Sequence, residues 1–340
     1  MPVSAVTSSM SPLVSVDALR ARLGSADLRL VDASWHLPAA GRDAAREFAE
    51  TRLPGAVFFD IDAHAAPGPL PHMLPTAAAF TSVAASLGIG PDDDIVIYDA
   101  VGLFSAPRVR WMFRHFGASR VTVLDGGLPA WIEADAPVES GAPEVSGWSI
   151  EAGRSDGSDG SDGPGAPAAP GQSEVARCGE DWRARLASRA GRSSGAGGDA
   201  LAGADATVGT AGAVADAVDV LRAAKDGSAT ILDARSATRF SGHEPEARPG
   251  LRSGHVPGSV SLPFTELLDR GRLKPDSELR EIFVGRGVAL DAPIVTTCGS
   301  GVTAAVISLA LERLGATDVS LYDGSWAEWG GREDLPVERG

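Results

Sequence analysis

Only two cysteines occur in the 340 residues, and one of them, Cys298, sits in the stretch TTCGSGVTAAV at positions 296–306. The preceding residues, IVTT at 294–297, read as a buried strand. The following stretch, TAAVISLALERLG at 303–315, has apolar residues at 306, 307, 310, 311 and 314 and a glycine stop, which predicts a helix. Cys298 therefore falls at the carboxyl end of a strand, where open α/β sheets place their ligands. Gly299 and Gly301 allow the backbone to curl so that successive N–H groups point inward, and the helix start adds partial positive charge. Such a nest favours a thiolate over a thiol and would hold a sulfur carried on that cysteine as a persulfide. A cysteine with a purely structural role has no use for flanking glycines.

Two other cysteine chemistries fit poorly. A tyrosine-phosphatase loop needs an arginine six residues after its cysteine, and position 304 is alanine. Neither local signature of a papain-like or caspase-like hydrolase surrounds Cys298.

The elements that must position this loop occur twice. RLVDASW (29–35) leading to RLPGAVFFDID (52–62) is matched by TILDARS (230–236) leading to GHVPGSVSLPF (254–264). IVIYDA (95–100) corresponds to IVTTCG (294–299), and DGGLPAW (125–131) to DGSWAEW (323–329). Each copy alternates short β-branched runs with helical patterns, as a parallel sheet covered by helices does. The expected fold is α/β: one domain over residues 12–138, a second over 213–338, each a parallel sheet with helices on both faces. Asp99 stands in the first copy where Cys298 stands in the second, so only the second copy keeps the nucleophile.

Residues 139–212 change character. SDGSDGSDGPGAPAAPG (155–171) and GRSSGAGGDALAGAD (191–205) are too poor in large apolar groups to form a core, which predicts a flexible linker with one ordered piece around DWRARL (181–186). Cys178 lies in this region and is expected to be a free surface thiol.

Together CGSGVTA, DGSWAEW, GHVPGSV and the tandem repeat resemble the two-domain rhodanese superfamily. Within it the loop is of the mercaptopyruvate type; thiosulfate-specific members carry a basic pair after the cysteine, as in CRKGVTA, where this chain has Gly299 and Ser300. The resemblance implies ping-pong sulfur transfer from 3-mercaptopyruvate, through a Cys298 persulfide, to a thiol acceptor such as thioredoxin, or to cyanide, without a cofactor. It also implies that Arg239 and Arg248 hold the substrate's carboxylate and carbonyl, and that Ser300, His72 and Asp62 form a proton relay. The loop residues Gly299, Gly301, Val302 and Thr303 would complete the substrate site. Trp35 and Phe104 are expected to line it, and His255 to be structural. The alternatives are a thiosulfate sulfurtransferase or a non-catalytic sulfur carrier, the latter disfavoured by the two arginines.

Composition narrows the partners. A formal net charge of −15 argues against a nucleic-acid binder and requires local arginines for an anionic substrate. No run approaches a membrane span, no metal-ligand spacing is visible, and two cysteines in a chain without a secretory signal suggest the cytoplasm.

Overall fold

The computed structural model describes residues 11–141, 170–193 and 212–340. In the first half, strands β1 (Leu13–Val14), β2 (Leu28–Asp32), β3 (Val57–Phe58), β4 (Asp94–Tyr98) and β5 (Arg120–Leu124) form one sheet. In the second half β6 (Ala213–Ala215), β7 (Thr230–Asp233), β8 (Val260–Ser261), β11 (Ile294–Thr297) and β12 (Val319–Tyr322) form another, while β9 (Leu268–Asp269) and β10 (Arg272–Leu273) pair as a small antiparallel ribbon. The sheets have the same parallel order, β1-β5-β4-β2-β3 and β6-β12-β11-β7-β8. The internal repeat of the sequence is thus a repeat of topology.

Helices α1 (Val16–Arg20), α2 (Ala44–Glu50), α3 (Ala77–Ser86), α4 (Ala106–Phe116) and α5 (Gly127–Glu133) flank the first sheet. After α6 (Gln172–Ser193), helices α7 (Ala217–Asp226), α8 (Ala237–Phe240), α9 (Asp276–Gly285), α10 (Ala304–Arg313) and α11 (Ser325–Trp329) flank the second. Helices α4 and α10 are the equivalent elements that follow the Asp99 and Cys298 loops, and they pack against each other. Both are buried along most of their length. One apolar core runs through them from Val31 and Phe113 to Ile307 and Leu321, so the halves share a hydrophobic interface rather than a hinge. Arg110 on α4 adds paired bonds of 2.7 and 2.8 Å to Glu312 on α10.

The expected linker is not wholly unstructured. Residues 172–193 form α6, which lies against α3 of the first half. Its anchor is Trp182, fully buried, with edge-to-face contact to Phe80 at 5.3 Å and an indole N–H bonded to the Ile89 carbonyl at 2.8 Å. Cys178, one turn earlier, is 1% exposed rather than on the surface, and burial pushes its thiol pKa up. Val175, Cys178, Trp182 and Leu186 recur at helical spacing, and of these Trp182 and Leu186 join the core cluster that includes Phe80 and Ala84 of α3. Most of SDGSDGSDGPGAPAAPG and GRSSGAGGDALAGAD lies outside the described residues.

The two halves differ at the end of their second strands. Asp233, ending β7, is forked by Arg235 at 2.6 and 3.0 Å. Its counterpart Asp32, ending β2, has Ser34 two residues on instead of arginine. Burial without a cationic partner pushes the Asp32 carboxyl up to about 6, against the hydrogen bonds from Ser34 and Tyr98 that favour its charge.

Two predictions follow from these contacts. Trp182→Ala should lower stability by about 3–5 kcal/mol, as loss of a large core aromatic does, in denaturant titration. A carboxyl raised from 3.8 to about 6 retains its proton longer in the folded than in the unfolded chain, so its contribution falls as pH rises across that window. Asp32→Asn should remove that decline and stabilise the protein at pH 7.5 by at most about 3 kcal/mol relative to pH 4.

Candidate active site

Strand β11 ends at Thr297 and delivers Cys298 to the turn before α10; the side chain is 2% exposed. The neighbouring β7 brings Asp233 into register with Thr297, so α8 with Arg239 leaves the sheet beside the cysteine loop. The loop is fastened from below by the β12–α11 turn. There Trp326 N–H donates to the Cys298 carbonyl and Ala327 N–H to the Gly299 carbonyl, both at 2.9 Å. The N–H groups of Gly299, Ser300, Gly301 and Val302 donate to no protein acceptor among the described residues. They remain available to a bound anion.

The first half shows what the equivalent loop holds. Asp99 is fully buried, and its carboxylate accepts from the N–H groups of Val101, Phe104, Ser105 and Ala106 at 2.9–3.0 Å. Burial raises its pKa while these four bonds oppose the rise. In the first half the strand-to-helix loop is therefore an anion cradle, filled by a side chain of the chain itself.

Gly301 is in the left-handed region at φ +78°, and a Cβ there would lie 2.9 Å from Arg108 Nη1 and 3.1 Å from the Asp323 carbonyl oxygen. Gly299 is less constrained: its Cβ would meet only the tip of Arg239, at 3.2 Å. Val302 is buried and Thr303 precedes α10, so both shape the turn.

Three residues expected to act together are together. Ser300 Oγ lies 2.9 Å from His72 Nδ1, and His72 Nε2 lies 2.8 Å from Asp62 Oδ1. With its Nε2 proton donated to Asp62, His72 accepts the Ser300 hydroxyl at Nδ1. His72 holds the Asp62 carboxyl below its usual range, with the Trp35 indole N–H at 2.8 Å adding to the effect against burial. Trp35 also packs edge-on to His72 at 4.8 Å and stacks on Phe104 at 6.0 Å, which makes these aromatics supports of the histidine.

The arginines play unequal parts. Arg239 is paired with Glu246, whose buried carboxylate also holds Arg235 at 2.6 Å. Arg248, half-buried, has no hydrogen bond or ion pair among the described residues. Burial lowers its pKa, while the charges of Asp62 and Cys298 act in the opposite sense. Its guanidinium is thus uncommitted among the described residues. His255 stacks on Phe240 at 3.8 Å and bonds the Phe240 carbonyl at 2.9 Å, away from the loop chemistry.

A family model described as Rhodanese-like domain matches residues 15–134 and again 216–332. The chain belongs to the rhodanese-like family. Among rhodanese-like relatives, 3-mercaptopyruvate sulfurtransferase of Escherichia coli strain K12 is 39% identical over 96% of this chain and 97% of its own length. The human protein of the same name is 38% identical, covering 92% of this chain and 88% of its own. A mitochondrial thiosulfate/3-mercaptopyruvate sulfurtransferase of Arabidopsis thaliana is 39% identical over 98% of this chain and 80% of its own. The crystal structure of SseA, a 3-mercaptopyruvate sulfotransferase from Escherichia coli, superposes with a TM-score of 0.69 at 35% identity, covering 93% of this chain and 99% of that one.

Sequence reasoning missed Arg108, Asp323 and Glu246. The one available signal was charge in apolar surroundings, as in APRVRWMF of α4. The glycine geometry gives a contrast to measure. Gly301→Ala should cost about 1–3 kcal/mol in denaturant melts, because the residue must be held in a disfavoured backbone region against two fixed neighbours. Gly299→Ala should cost well under half of that, since a flexible side-chain tip can move.

Proposed function

We propose that this protein transfers sulfur from 3-mercaptopyruvate, through a persulfide on Cys298, to a thiol acceptor such as thioredoxin, or to cyanide, and that it does so in the cytoplasm. The observation that carries this reading is the Ser300–His72–Asp62 chain beside Cys298. A thiol donor must lose a proton from sulfur and its carbon must gain one; thiosulfate needs neither.

In the first half-reaction the Cys298 thiolate attacks the sulfur of HS–CH₂–CO–COO⁻. The new S–S bond forms as the C–S bond breaks, and the electron pair passes into the carbonyl as the pyruvate enolate. The Ser300 hydroxyl, backed by His72 and Asp62, carries the S–H proton to the enolate carbon. Pyruvate leaves and Cys298 retains the anionic outer sulfur, which accepts hydrogen bonds from the loop N–H groups that have no other acceptor among the described residues. In the second half-reaction an acceptor thiol takes that sulfur and the Cys298 thiolate returns. Arg248 offers paired N–H donors to the keto acid, and Arg239 lies over Gly299 beside it. No helix among the described residues is long and apolar enough to cross a membrane.

Thiosulfate is a second donor to consider, because one relative of 39% identity is named for both substrates. The site disfavours it here. A basic pair in place of Gly299 and Ser300 would bring cations against Arg239 and into the buried contact with His72.

Cys298→Ser should abolish pyruvate release, and intact mass should show one added sulfur on Cys298, with Cys178→Ser retaining activity. Arg248→Ala should lower kcat/KM for 3-mercaptopyruvate by roughly 1.5–3 kcal/mol, the value of a charged hydrogen-bonding contact, with less effect on thiosulfate. A higher kcat/KM for thiosulfate in the unmodified protein would overturn the donor assignment.

A further inference from the structure

We infer that Arg108, a residue of the inactive half, is a positioning residue for sulfur transfer at Cys298. It fixes the backbone that carries His72 and turns an uncommitted, charged N–H group toward the cysteine loop at Gly301. The inference deepens the functional reading above and rests on it.

Arg108 lies in the first turn of α4 and has no exposed surface. Its Nη2 donates to the His72 carbonyl at 2.6 Å and to Asp323 Oδ1 at 2.5 Å. The other oxygen of Asp323 accepts the Leu74 N–H at 2.8 Å. One arginine from the first half and one aspartate from the second therefore clamp both ends of the three-residue segment His72–Leu74. That segment needs holding, because His72 has φ +59°, in the left-handed region that is uncommon for residues other than glycine, though histidine enters it more readily than most. The clamp keeps Nδ1 against Ser300.

The other side of the guanidinium carries the second part of the argument. Nη1 and Nε are buried and have no hydrogen-bond partner among the described residues. An arginine kept only to join two domains would fork the carboxylate with both Nη groups, as Arg110 does with Glu312. Arg108 instead spends one nitrogen on two acceptors and leaves the other beside Gly301, whose Cβ would be 2.9 Å away. An unsatisfied buried donor is costly. The cost is offset if charge develops in the loop three residues upstream, at Cys298, when the thiolate forms and when the persulfide replaces it. The ring of Trp111, 4.5 Å from the guanidinium carbon, holds the group flat in this orientation.

The test separates charge from architecture. In the double variant Arg108→Gln/Asp323→Asn, neutral groups can replace the paired ions at the interface. If Arg108 acts as inferred, this variant keeps a near-native melting temperature yet forms the Cys298 persulfide about tenfold more slowly, with KM for 3-mercaptopyruvate changed less than about twofold. Arg108→Lys keeps the charge but cannot serve His72 and the Gly301 side at once, so it should recover part of the rate. It also decides the matter should the double variant fail to fold: wild-type kcat in Arg108→Lys overturns the inference, and a reduced kcat at unchanged KM supports it. A folded double variant with wild-type persulfide kinetics overturns it as well. Unmodified protein that takes no sulfur onto Cys298 from either 3-mercaptopyruvate or thiosulfate would instead refute the functional reading.

Discussion

The bond between Ser300 and His72 joins the halves of this protein beside the Cys298 loop, and the rest of the architecture keeps that contact in register. Ser300 is set by the strand-to-helix turn of the second sheet, His72 by an irregular segment of the first. A hydrogen bond tolerates only a few tenths of an ångström of drift. The shared core across α4 and α10, the Arg110–Glu312 pair and the packing of Gly102 against the Gly271 backbone resist such drift. An interface this apolar is needed because a merely polar contact between domains would let them move.

The first half reaches the Cys298 loop through side chains of its own. It supplies His72 and Asp62 next to Ser300, the aromatic pair Trp35 and Phe104, and the arginine against Gly301. The second half holds Cys298, Arg239 and Arg248, while among the described residues the hydrogen-bond partner of the Ser300 hydroxyl comes from the first half.

Much of this was legible in the chain itself. The duplicated β-branched runs gave the two sheets, because buried parallel strands need apolar residues on both faces and the repeat confirmed each assignment against the other. Gly299 and Gly301 marked the loop, although only Gly301 has the left-handed backbone that requires glycine. The relay came through resemblance, as no local pattern connects positions 62 and 72 to position 300. The ordered piece expected around residues 181–186 is part of helix α6, but the helix's full extent was obscured because glycine- and serine-rich flanks dilute the composition, although Val175, Cys178, Trp182 and Leu186 lie at helical spacing within it. The clamp by Arg108 and Asp323 had no signature either: each residue is explained only by a partner 215 positions away.

Asp99 also bears on how the duplication can change from here. The first-half loop runs seven steps from Asp99 to the start of α4 at Ala106, whereas the second-half loop runs six from Cys298 to Ala304. The extra residue lets the loop wrap a carboxylate tethered to its own backbone. Replacing Asp99 by cysteine would thus leave N–H groups arranged around a longer side chain, in a loop of the wrong length for sulfur. Placing a cysteine there with a loop like that of the second half takes a deletion and a substitution at once, and either change alone strips four N–H donors, two of them buried, of their acceptor or misplaces it. The asymmetry between the two copies is therefore locked in, a ratchet that single point mutations do not reverse.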